Sequence, residues 1–120
     1  NTCLFEIKKP SSKLLNEREY RKGLYSPASE LAGAVTQLSD QIYEWQKGIA
    51  TTKENSRIYD IETFAVHGVL VIGITPCESD RIKSFELFRH NSKNIHVITF
   101  DELLEKLKQL HKFLSDDSIA

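Results

Sequence analysis

Near its start the chain runs Leu4-Phe5-Glu6-Ile7-Lys8-Lys9-Pro10, and two of these residues are equipped for phosphate chemistry. A carboxylate is a hard oxygen ligand of the kind magnesium takes. An ammonium group offsets the negative charge that builds on phosphoryl oxygens. Successive side chains of a strand point to opposite faces, so Glu6 and Lys8 share one face while Phe5 and Ile7 share the other. Pro10 cannot donate to a sheet ladder, and the strand is expected to stop there. An acid and an amine would then stand together at the carboxyl end of a mostly buried strand, able to hold a cation and press a positive charge onto a phosphate. A Glu-x-Lys triplet is common and carries little weight alone. The β context, the proline and the segment that follows add to it.

That segment is basic. From Lys8 to Lys22, Lys8, Lys9, Lys13, Arg18, Arg21 and Lys22 stand against only Glu17 and Glu19, in a chain whose formal net charge is −1. Such a cluster is as often a solvated face as a binding surface. The near-neutral total argues against a protein that coats nucleic acid by bulk charge. Other chemistries lack their residues. His67, His90, His96 and His111 have no ligand-like spacing with one another or with a cysteine, against a structural zinc site. No glycine sits in a Walker or dinucleotide pattern, and the serines and cysteines lack an elbow or triad context. Cys3 and Cys77 are expected to be free thiols in a reducing compartment, the cytoplasm. No apolar run approaches the length that crosses a bilayer, so no membrane partner is expected.

The elements that must position Glu6 and Lys8 follow in order along 120 residues, the size of one domain. Ser26 as cap and Pro27 at the first position predict a helix with an apolar stripe of Leu31, Val35, Leu38, Ile42 and Trp45, ended by Gly48. Gly33 and Ala34 are small enough to let that helix approach a sheet. A second row, Glu30, Gly33, Gln37, Gln41 and Glu44, flanks the stripe. Glu30 and Gln37 lean toward Glu6 if Gln37 is buried, and otherwise form a solvated flank. Residues 11–25 read as loop with a brief helical turn at Lys13-Leu14-Leu15, and 50–61 as a surface connection.

The β-branched run from Val66 to Ile74 predicts a strand buried on both faces. A helix capped by Ser79 or Asp80 runs to about Arg89, and Ile95 to Ile98 form a short strand. Thr99 with Glu102 forms a capping box. It opens a helix whose Leu103, Leu104, Leu107, Leu110, His111 and Leu114 face inward, before a tail that frays from Ser115. Strand and helix alternate three times. This predicts an α/β fold with a mixed or parallel sheet covered on both sides.

Several blocks of the sequence resemble the carboxy-terminal domain of the Shedu anti-phage defence proteins, within the PD-(D/E)XK nuclease superfamily. They are Phe5 to Pro10, Tyr20-Arg21-Lys22-Gly23, Tyr25 to Leu31, Ala34-Val35-Thr36-Gln37 and Ile98 to Leu104. The resemblance implies a restriction-endonuclease-like mixed sheet flanked by helices, and magnesium- or manganese-dependent cleavage of DNA. Glu6 and Lys8 would be the acid and lysine of the (D/E)XK strand. The backbone carbonyl of Ile7 would be a further metal ligand and Gln37 the supporting glutamine. The tyrosine often found one turn later is Gln41 here. The superfamily's other acid, on the preceding strand, has no counterpart. The chain contains no methionine and opens in what reads as mid-strand. Residues 1–120 are therefore expected to be a single nuclease-like domain from the C-terminal part of a longer chain, with that acid upstream or Glu30 in its place. Lys9, Lys13, Arg21 and Lys22 would contact the DNA backbone, and a homo-oligomer would hold DNA better than one copy. Two other readings remain open. One is a catalytically inactive relative that uses the fold to bind DNA or to assemble. The other is an unrelated α/β protein-interaction domain.

Overall fold

The computed structural model describes residues 2–56 and 66–119. Strands and helices alternate in the order β1 (Thr2–Ile7), α1 (Ser29–Ser56), β2 (Val66–Val71), α2 (Ser79–His90), β3 (Ile95–Ile98) and α3 (Phe100–Ile119). The three strands form one parallel sheet in the order β1-β2-β3. Thr2 lies opposite Val66 and Ile7 opposite Val71, while Gly68 lies opposite Ile95 and Val71 opposite Ile98. Parallel neighbours need long crossovers, and α1 and α2 lie within them. The α/β class expected from the sequence holds, with both pairings among the three strands parallel.

The core forms where the strand and helix periods meet. Val66, Leu70 and Ile72 alternate along β2 and just beyond it, and pack with Leu31, Ala34, Leu38 and Ile42 of α1. Phe85 of α2 and Ile95 and Val97 of β3 complete the cluster, with Leu4 of β1 at its margin. A β-carbon at Gly68 would sit 2.8 Å from Leu38 Cδ2, so the close approach of helix and sheet depends on Gly68 and the buried Ala34. Gly33 plays no part in it: a β-carbon there would meet nothing within 4 Å. In a helix interior, glycine is less favourable than alanine by about 1 kcal/mol, and at position 33 packing supplies no compensation.

Several boundaries differ from the sequence reading, each for a local reason. Ser26 and Pro27 do not start the helix, because their backbone is engaged elsewhere. Asn16 N–H donates to the Ser26 carbonyl (3.0 Å), Ala28 N–H donates to that of Leu14 (2.9 Å), and Leu15 bridges Pro27 in antiparallel fashion. This stitching seats Leu14 and Leu15 in the core, and α1 begins only at Ser29. The helix continues through Gly48 to Ser56. The first part of the segment read as a connection, 50–56, is therefore helical, while 57–61 lie outside the described residues. Trp45 is 42% exposed rather than part of the core.

The last helix departs furthest. Leu104, Leu107, Leu110 and Leu114 are all more than half exposed, and His111 is exposed too. The helix also runs unbroken through Ser115 to Ile119. Its first turn is the anchored end. Glu102 accepts from Thr99 N–H and Thr99 Oγ1 (both 3.0 Å) and from Arg89 Nη1 (2.7 Å), and the same Arg89 nitrogen donates to the Val97 carbonyl at 3.1 Å. Burial pushes the Glu102 carboxyl up, but the bonds from Arg89 and Thr99 outweigh it and hold the group below the usual carboxylate range. Phe5 and Ile7 of β1 are each 66% exposed. Among the described residues, then, helices cover one face of β1 but not the other, short of the two-sided cover expected. No helix among these residues is long and apolar enough to cross a membrane, and both cysteines are free and exposed.

Candidate active site

The alternation of β1 sends Leu4, Glu6 and then Lys8 toward α1, with Cys3, Phe5 and Ile7 on the other side, as their graded exposure shows. Lys8 N–H still donates to the Val71 carbonyl (2.8 Å). The backbone is therefore held by β2 at the residue that carries the amine. From there Lys8 Nζ lies 3.3 Å from Glu6 Oε1 and donates to Gln37 Oε1 at 3.2 Å. The three residues expected to work together do meet, across a sequence separation of 29 between Lys8 and Gln37. Gln37 is exposed rather than buried, so it reaches Lys8 from the rim of the helix.

Beside this trio opens a cleft of about 520 Å³ lined by Lys8, Lys9, Ser12, Glu30, Gly33, Ala34, Gln37 and Ile72. Glu30 lines it as the sequence suggested, but its carboxylate accepts from the backbone N–H of Lys13. Glu30 thus ties the loop after β1 to the start of α1. Of the four cations expected to meet DNA, Lys9 lines the cleft. Lys13 pairs with Glu17 at 3.2 Å and borders a neighbouring pocket with Pro10, Leu14 and Arg81. Arg21 and Lys22 sit further along, in a tight turn where Arg21 bridges Leu24 and stacks on Tyr20. Ile7 ends β1, its carbonyl leading into Lys8.

The tip bearing Lys8 and Lys9 is held by a residue the sequence reading passed over. Gly73 has a φ of 67°, the left-handed region that glycine tolerates best. Its N–H donates to the Lys9 carbonyl (3.1 Å), and its own carbonyl accepts from Phe100 N–H (2.9 Å). A β-carbon there would lie 2.8 Å from Leu14 Cγ and Cδ2 and 3.0 Å from the Ser12 carbonyl oxygen. Gly73→Ala is expected to destabilise the fold by about 3 kcal/mol, adding a left-handed penalty to overpacking. The check is a lower denaturant midpoint at unchanged slope. The signal for Gly73 was its place between a buried strand and a Thr-Pro break.

Among the described residues no group of three His, Cys, Asp or Glu side chains is placed to hold a metal ion. Glu6 gives one carboxylate, paired with Lys8 and 24% exposed. Magnesium commonly takes one or two carboxylates, with waters and substrate phosphate completing its shell, so the residues present fit such an ion in that mode only.

Comparison with known proteins bears on this geometry. A family model described as Shedu protein SduA, C-terminal, matches residues 1–104. The Shedu protein SduA of Bacillus cereus (strain B4264) is 38% identical over 127 aligned residues, covering 95% of this chain and 32% of that protein. The chain therefore spans about a third of the length of the relative it matches.

Proposed function

The chain belongs to the Shedu SduA C-terminal family, and we propose that it is the nuclease domain of a defence protein, hydrolysing DNA phosphodiesters with a divalent cation. One observation carries the reading: the Lys8 ammonium is held between the Glu6 carboxylate and the Gln37 amide beside an open cleft. In this reading Glu6 and the Ile7 carbonyl hold a magnesium or manganese ion, which when bound supplies Lewis acidity and a more acidic water. Lys8 stabilises charge on the phosphoryl oxygens. Gln37 keeps the ammonium aimed into the cleft while Glu6 is engaged elsewhere. Lys9, Lys13, Arg21 and Lys22 offer backbone contacts to DNA that carry no sequence information, and a homo-oligomer multiplies them.

The single carboxylate at Lys8 favours a second reading, a catalytically inactive member that binds DNA or assembles. Plasmid cleavage by the full-length protein separates the two. The nuclease reading expects nicking or linearisation with magnesium, none with a chelator, and none from Glu6→Ala. Salt-sensitive DNA binding without cleavage under any metal supports the second reading instead.

A further inference from the structure

Position 33 carries a glycine that neither helix propensity nor packing explains. Its neighbour Ala34 is 3% exposed and makes the contact with the sheet, whereas a β-carbon on Gly33 would meet nothing within 4 Å. What Gly33 faces is the cleft it lines with Lys8, Lys9, Glu30 and Gln37. It stands three residues after Glu30 and four before Gln37, so all three share one side of α1. Any side chain there would project into the space from which a phosphate must approach Lys8. Glycine is the residue found where a ligand comes close to backbone.

We propose that Gly33 is a clearance notch for a polymeric substrate. The absent side chain lets the sugar-phosphate backbone of a DNA strand lie against α1 while one phosphate reaches Lys8. The proposal rests on the reading of the cleft as a DNA site, though not on hydrolysis, since the notch governs binding. On this reading α1 keeps a residue unfavourable to helix where the strand crosses it. Gly48, on the same helix, also has open space at its β-position. It lies eleven residues beyond Gln37, about 16 Å along the axis, and so serves as the control.

The test uses the full-length protein as wild type, Gly33→Ala, Gly33→Leu and Gly48→Leu. DNA affinity is measured by fluorescence anisotropy in calcium, and the melting temperature alongside. Gly33→Leu is expected to weaken DNA binding about tenfold or more, the scale on which a pocket rejects a few extra methylenes. Gly33→Ala should fall between it and wild type. Both should melt at the wild-type temperature or above, because each side chain favours helix over glycine. Gly48→Leu should bind DNA as wild type does. Unchanged affinity in Gly33→Leu overturns the notch and leaves the DNA-binding reading standing. So does equal weakening in Gly48→Leu, or weakening that follows a lowered melting temperature. A wild-type protein that binds no DNA overturns both.

Discussion

In the full-length protein, Lys8→Met is expected to slow magnesium-dependent DNA cleavage by about 10²- to 10⁴-fold, the range over which one positioned charge or proton-handling group acts. Its melting temperature should stay within about 2 °C of wild type. The contrast follows from the geometry of the pair. The side chains of Lys8 and Glu6 remain 33% and 24% exposed, so their 3.3 Å contact contributes at most about 1 kcal/mol to folding. The bond to Gln37 adds little more, since that exposed amide turns to water when the ammonium is removed. What Lys8 supplies is therefore local: a positive charge fixed by β2 on one side and α1 on the other. Lys8→Arg should not restore cleavage, because a planar fork presents its charge differently from a compact ammonium. Gln37→Leu should cost about tenfold, less than Lys8→Met, because the ammonium itself remains and only the amide that aims it is lost. Cleavage by Lys8→Met at the wild-type rate would remove its role. A rate that falls in step with the melting temperature would make that role structural.

The period of two in β1 made the pairing of Glu6 with Lys8 legible, since alternation leaves no other arrangement in a strand. Gln37 was legible from helical phase, although phase alone left a solvated flank open, and only the fold shows its amide on Lys8. The Thr99–Glu102 capping box was legible because both partners are local. Arg89, which completes it from α2, was not: nothing in the sequence ties residue 89 to residue 102. The start of α1 was misread for the converse reason. Ser26-Pro27 is a sound local cap, but the bonds that displace it, Asn16 to Ser26 and Ala28 to Leu14, join positions further apart in sequence than a local cap reads. The apolar stripe of α3 showed that the helix is amphipathic and could not show what lies against it. Gly33 and Gly68 illustrate the same limit. Both are small residues on packed elements, yet one admits a leucine side chain and the other faces open space.

Phe85→Ala is expected to destabilise the fold by about 4 kcal/mol, near the upper part of the range for removing a buried aromatic ring. Phe85 is fully buried, and of α2 only it and Ser84 are buried. Ile82 and Leu87 on its turns are 37% and 49% exposed, and Phe88 packs only partly buried against the core. The ring is therefore the one fully buried apolar anchor of α2, with Phe88 as a partly buried second contact. Its loss spreads in two directions. The Arg89 guanidinium stacks on the ring, 4.5 Å from its centre, and joins the Val97 carbonyl to Glu86 and Glu102. Ser84 Oγ accepts from Tyr25 N–H at 2.9 Å and donates to the Asp80 carbonyl, so the loop before α1 loosens as well. Phe85→Leu, which keeps most of the volume, should cost about 1 kcal/mol. Denaturant unfolding measures both, and hydrogen exchange should show the amides of α2 losing protection in Phe85→Ala before those of β2. A loss below about 1 kcal/mol in Phe85→Ala would mean that α2 is held by its charged edge rather than its ring. The arginine network would then be the structural centre of the C-terminal half, and Arg89→Leu, not Phe85→Ala, would carry the larger penalty.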